Sequence, residues 1–263
     1  LNKYNYEYLN QLPLISNSNH RVYSDGTVFY KRARDNNSSA NIVLEHTVNT
    51  ILGRKSELFP GPPVSVLSER VGNSLTAKDV RESFVREALR VMLEVHYISP
   101  NKYNQVAKIV PSWNDFRNTM QEKIQYRIDM DQNPKFLLDV LPPAASCSNY
   151  VLGLVHSDPR PANWVREESG TLELIDWESA LIAPWEFAVI SLVSYLYEYG
   201  RTDLAHFAFD EAHEYSTMNS NLLQWSANYR TAATSSWYFA NESFDSGMNW
   251  VNKMSELWIN LKI

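Results

Sequence analysis

The sequence predicts an α+β protein in which a small, strand-rich N-terminal part precedes a large helical part. Three observations carry this. β-Branched and aromatic runs flank a Ser24-Asp25-Gly26 turn, the pattern of a hairpin. From Thr76 onward, apolar residues recur at helical spacing behind capping signals. A strand-like stretch at 151–178 then interrupts the helical series. The expected division is 1–70 for the first part and 71–263 for the second.

Taken in order, residues 20–23 and 27–31 form the two arms of the hairpin. Leu44, Val48, Ile51 and Leu52 follow helical spacing, and Gly53 closes that helix. Phe59-Pro60-Gly61-Pro62-Pro63 breaks the chain, residues 64–67 make a short strand, and 68–72 read as a hinge. Thr76 and Asp79 form a capping-box pattern ahead of Val80, Phe84, Ala88, Met92 and His96. Ser112 and Asp115 repeat it before Phe116, Met120 and Ile124, and Pro142-Pro143 ends another short helix. Pro184 opens a helix through Phe187, Ile190, Val193 and Leu196. Further helices are expected at 202–215, 219–240 and 245–261.

Composition excludes several classes. The 263 residues suffice for a large core, and 44% hydrophobic with 13% aromatic content describes a globular chain rich in rings. No run approaches the ~18 uninterrupted apolar residues of a membrane span. Leu1-Asn2-Lys3-Tyr4 lacks the apolar core of a leader. A single cysteine, Cys147, rules out an internal disulfide framework. The expectation is a cytoplasmic protein with no membrane partner. The six histidines show no zinc-ligand spacing. A net charge of −6 argues against a nucleic-acid partner and tilts the ligand towards cations.

The chemistry concentrates in His156-Ser157-Asp158-Pro159-Arg160-Pro161-Ala162-Asn163 and in Leu174-Ile175-Asp176-Trp177-Glu178. An aspartate and an asparagine share one short loop, and a further aspartate ends an apolar run. Such a set can hold Mg²⁺ through oxygen ligands and leave one carboxylate free to accept a hydroxyl's proton, the division of labour phosphoryl transfer needs. Asp176 and Glu178, alternating on one strand face, also fit the carboxylate pair of a glycosidase or a metal nuclease, a reading that leaves the 156–163 loop unexplained.

The two motifs resemble those of the protein-kinase-like small-molecule kinases: aminoglycoside phosphotransferases, choline and ethanolamine kinases, and thiamine kinases. His156, Asp158 and Asn163 match the family's His-x-Asp-x-x-x-x-Asn loop, and Asp176 its metal-binding aspartate. The resemblance implies a two-lobed protein-kinase-like fold with ATP and magnesium as cofactors. It makes Asp158 the residue that orients and deprotonates the acceptor, His156 a structural member of the catalytic loop, and Asn163 and Asp176 the metal ligands. It also pairs Lys31, as the contact to the ATP phosphates, with Glu45 on the next helix. Arg32 takes the lysine's place if the strand register slips by one residue.

The phosphate-covering turn would be Ser16-Asn17-Ser18-Asn19, with Ser16 and Asn19 as cofactor-binding candidates. It lacks glycine, and no Asp-Phe-Gly follows Asp176, which favours the small-molecule branch over protein kinases. The acceptor pocket is expected beyond Asp176. There Asp203, Asp210, Glu211, Glu214, Glu242 and Asp245 would suit an ammonium or guanidinium, and Trp225, Tyr229, Trp237, Tyr238 and Trp250 a quaternary ammonium. Most of these residues are equally explained as solvated helix faces and core rings. The sequence thus points to a kinase for the hydroxyl of a small cationic molecule. Choline, ethanolamine or thiamine kinase is the alternative substrate reading, and a nucleotide-binding pseudokinase that serves as an interaction module is the alternative class. Oligomeric state is not legible.

Overall fold

The computed structural model describes residues 6–17, 20–26, 28–61, 63–69, 72–98, 102, 110–145 and 150–263. The chain is α+β and divides into two compact units, one rich in strands and one in helices. The first comprises 1–74, 99–110 and 163–180; the second comprises 75–98, 111–162 and 181–263.

The first unit is built on an antiparallel sheet of β1 (Leu14–Asn17), β2 (Arg21–Ser24), β3 (Val28–Arg32), β4 (Ser56–Phe59) and β5 (Ser65–Glu69), in the order β1-β2-β3-β5-β4. The expected hairpin is β2–β3, with Tyr23 opposite Tyr30 and Val22 opposite Lys31. Strand alternation gives the sheet two apolar faces. Val28, Tyr30 and Leu67 pack with Leu9 and Leu12, which come from and just after α1 (Tyr6–Gln11). Val66 packs on the other with Ile42 of α2 (Asn36–Ile51). Helix α2 starts earlier than its apolar spacing indicates. Asp35 and Ser38 form a reciprocal capping box there, which satisfies amides the helix leaves unpaired. It ends where Gly53 takes φ +75°, a conformation that favours glycine.

A second, three-stranded sheet of this unit joins β6 (Asn73–Ser74), β8 (Trp164–Arg166) and β9 (Leu172–Leu174). Arg54, just past α2, donates to the Leu174 carbonyl at 2.6 Å, so segment 163–180 is fastened to the N-terminal elements. Ser68 and Glu69, expected in a hinge, belong to β5; Arg70 and Val71 lie outside the described residues.

The second unit holds α3 (Glu82–His96), α4 (Trp113–Asp129), α5 (Leu137–Val140), β7 (Leu152–His156), all but the first residue of β10 (Ala180–Pro184), α6 (Trp185–Glu198), α7 (Thr202–Tyr215), α8 (Ser220–Asn241) and α9 (Phe244–Asn260). The Ser112–Asp115 box caps α4 as expected. The Thr76–Asp79 box instead caps a single 3₁₀ turn, and α3 begins at Glu82. Helix α6 is buried almost all round and is the core helix against which α3, α7 and α8 pack. No helix among the described residues is long and apolar enough to cross a membrane.

Close packing fixes the strand that leads into the 156–163 loop. A Cβ at Gly153 of β7 would stand 2.2 Å from the His96 carbonyl oxygen and 2.4 Å from its ring nitrogen, so only glycine fits. His96 itself is 3% exposed, beside Trp185 at a ring separation of 6.0 Å.

Candidate active site

In the first unit, alternation turns Tyr30 to one side of β3 and Lys31 to the other, the side that packs on α2. Ile42 and Glu45, three residues apart on α2, share a helix face. Lys31 Nζ therefore meets Glu45 and donates to its Oε2 at 2.8 Å. The same ammonium bonds Asp176 Oδ1, and Glu178 Oε2 lies 4.0 Å away. It is Lys31, not Arg32, whose side chain makes these contacts.

Three carboxylates thus face one ammonium, and the electrostatics follow. Burial alone would make Lys31 give up its proton more readily. Glu45, Asp176 and Glu178 outweigh burial and hold it well above the usual lysine range. Glu45 is pushed up, first by burial and then by the neighbouring negative charges, with Lys31 opposing. One oxygen from each of Glu45, Asp176 and Glu178 lies within 4.8 Å of the others. Lys31 already occupies Glu45 in this group, so Asp176 is the carboxylate of the set best placed to offer a hard oxygen to magnesium.

The expectation that Asp176 and Glu178 lie on one strand face is corrected. Strand β9 ends at Leu174; Asp176 takes the left-handed conformation (φ 68°, ψ 52°), and Glu178 falls in a 3₁₀ turn, Trp177–Ser179. Aspartate tolerates positive φ better than most residues, and a non-glycine residue there is a common mark of a functional turn. The turn is anchored by the Trp177 indole, which donates to the Leu174 carbonyl at 2.8 Å. His20, buried at the start of β2, places Nε2 2.6 Å from Glu178 Oε2. Asn163 is buried, and its carbonyl accepts from the Ile175 amide at 2.8 Å, so both motifs of this unit are fastened together.

The second unit carries the remainder of the loop. Buried His156 ends β7, and its Nδ1 accepts from the Asp158 amide at 3.1 Å; that nitrogen is therefore unprotonated. Arg160, about half exposed, brings Nη2 to 3.1 Å from Asp158 Oδ2.

Ser16 lies half-buried in β1, paired with Val22, so this part of the expected turn is strand. Asn19 lies outside the described residues. The acids beyond Asp176 do not converge. Asp203 pairs with Arg201 and Glu211 with Arg86, whereas Asp210, Glu214, Glu242 and Asp245 are exposed. Trp225, Tyr229 and Trp250 are core residues. Tyr238 stacks on Trp250 and donates to Glu198 Oε1 at 2.7 Å.

Sequence reasoning did not assign His20 or Glu198 to a site, and it used Glu178 only in the rival carboxylate pair. For Glu178 the Asp-Trp-Glu spacing was the available signal; for the other two, no local pattern exists.

The sequence matches the model of the phosphotransferase enzyme family over residues 29–222. No curated protein matches it in a sequence comparison. Among solved structures, a choline/ethanolamine kinase family protein from Mesorhizobium loti is similar in fold (TM-score 0.65, 12% identity, 94% of this chain and 87% of that one). So is an aminoglycoside 2'-phosphotransferase IIIa in complex with GDP (TM-score 0.62, 12% identity, 97% and 95%). A spectinomycin phosphotransferase in complex with ADP and spectinomycin is a third (TM-score 0.60, 13% identity, 93% and 88%). The family match spans Lys31, the 156–163 loop and Asp176 alike, and the chain belongs to the phosphotransferase enzyme family.

Proposed function

We propose that the protein transfers the terminal phosphoryl group of ATP to a hydroxyl of a small molecule, with a cationic acceptor favoured. The observation that carries this reading is the Lys31 ammonium held by Glu45 and Asp176. A triphosphate needs a fixed cation, and a lysine on a strand, oriented by a buried carboxylate, supplies one. Asp176 and Asn163 would hold magnesium, which neutralises charge on the phosphates when bound. Lys31 steadies the phosphates, Ser16 and Asn19 lie on the segment that would cover them, and Asp158 accepts the acceptor's proton. His156 fixes the loop through the Asp158 amide. Catalysis is then mainly positioning and charge neutralisation.

Asp176→Asn tests the metal assignment. Loss of an outer partner of a metal ligand alone costs about 10–100-fold in affinity. Loss of the ligand's own charge is expected to weaken Mg²⁺-dependent ATP binding by at least about tenfold. Calorimetric titration of ATP with and without Mg²⁺ reads this out. Equal Mg²⁺ dependence in wild type and variant would remove Asp176 from the role.

The cationic acceptor is supported by the net charge of −6 and by the aminoglycoside and choline names among proteins of similar fold. Thermal shifts with ATP–Mg²⁺ and panels of aminoglycosides, choline, ethanolamine and thiamine test it. Affinity for an acceptor held by carboxylates should fall as ionic strength rises, and affinity held by rings should resist salt. A neutral sugar as the best acceptor would sink the charge argument and leave the kinase reading standing. ATP binding without transfer to any hydroxyl would favour the pseudokinase.

A further inference from the structure

One buried polar side chain of the first unit has no place in the mechanism above. His20 directly precedes β2 and is 3% exposed. Neither ring nitrogen makes a well-aligned hydrogen bond among the described residues, although Nε2 stands 2.6 Å from Glu178 Oε2. Buried polar atoms are nearly always paired, so such a ring calls for an explanation. Space filling is a poor one, because an apolar side chain would fill a buried position without the cost of unpaired nitrogens. What histidine adds here is a polar nitrogen against one carboxylate. Glu178 sits in the turn anchored by the Trp177 indole, and its side chain is 14% exposed. Its Oε2 also lies 4.0 Å from Lys31 Nζ, the ammonium that meets Glu45 and Asp176. One oxygen is thus shared between His20 and Lys31.

We propose that His20 is a positioning residue for Glu178: it holds that carboxylate beside Lys31, so that Glu45 and Glu178 balance the ammonium and Asp176 is left to magnesium. The inference rests on Asp176 being a metal ligand, as proposed above. Without His20, Glu178 is free to turn to water through its exposed side. Lys31 then leans on Asp176 and ties up the carboxylate that the metal needs. His20 and Glu178 come from segments far apart in the chain but in the same unit, so the contact exists in the protein before any ligand arrives.

The test is calorimetric titration of ATP, with and without Mg²⁺, in wild type, His20→Phe, His20→Gln, Glu178→Gln and the double variant His20→Phe/Glu178→Gln, with melting temperature as the control for folding. Partners beyond the metal ligands contribute about 10–100-fold to metal affinity. His20→Phe, which keeps a ring and removes the unpaired nitrogens, is expected to weaken Mg²⁺-dependent ATP binding by about tenfold, the lower end of that range. ATP binding without Mg²⁺ and the melting temperature should change little, whereas a purely structural role would move all three together. His20→Gln, whose amide can meet the same carboxylate, should recover most of the loss. The double variant should bind no more weakly than Glu178→Gln, because residues acting through one contact are not additive. Unchanged Mg²⁺ dependence in His20→Phe would overturn the proposal, as would additive losses in the double variant. If His20→Phe does not fold, Glu178→Gln carries the test, and wild-type Mg²⁺ dependence there overturns the proposal. Failure of Asp176 as the metal ligand would show separately, as wild-type Mg²⁺ dependence in Asp176→Asn.

Discussion

Replacing Asp158 by alanine is expected to lower phosphoryl transfer by about 10²–10⁴-fold, the usual contribution of a general base. ATP affinity should change little. The proposed roles fall to different units. The residues proposed to meet nucleotide and metal, Lys31, Glu45 and Asp176, belong to the first unit. Asp158 belongs to the second, where Arg160 pairs with its carboxylate and His156 accepts from its amide. The bond from Asp158 to His156 comes from the backbone amide and survives loss of the side chain. Single-turnover transfer to whichever acceptor gives the largest thermal shift, compared with ATP binding by calorimetry, separates the two functions. A variant that keeps half its activity would remove Asp158 from the role.

The second large effect concerns stability and pH. His96 is 3% exposed, and burial lowers its proton affinity to a pKa of about 4. The ordinary value is 6.5. The unfolded chain therefore binds this proton more readily than the folded one. The native state is favoured fully above the ordinary value, and that advantage is lost as pH falls from about 6.5 towards 4. At 1.36 kcal/mol per unit, the loss amounts to about 3 kcal/mol. That is a large share of a typical domain's stability. The consequence reaches the site, because His96 packs against Gly153 in the strand that ends at His156. His96→Phe keeps a ring of similar size without a titratable group. Urea denaturation at intervals between pH 4 and 7 should show a slope in wild type that the variant lacks. Parallel curves for the two proteins would assign the acid sensitivity elsewhere.

The two units were legible to different depths. The hairpin, the helices of the second unit and the 156–163 loop each follow from patterns inside a short window. An Asp-Gly turn, a period of 3.6 and a Ser112–Asp115 box all act through neighbours in the chain. Short strands were harder. Strand β4 precedes a proline-rich break, β10 merges into an apolar helix, and β1 was read as a polar turn. None of the three carries enough residues for alternation to declare itself, and pairing with partners distant in sequence decides them.

At the site, the sequence by itself determined the residue types and their order. It supplied a lysine at the end of a β-arm, a glutamate on the next helix, an Asp–Asn loop and an aspartate after an apolar run. These follow from local chemistry, because turn formers, strand residues and caps act over a few positions. Tertiary structure decided which charges meet. It gave Lys31 three carboxylates, turned Asp176 into the left-handed region instead of along a strand, and left most later acids in solvent. The physical reason is one of range. Backbone propensity is set by adjacent residues, whereas the field at a buried charge is set by whatever the fold packs within a few ångströms of it.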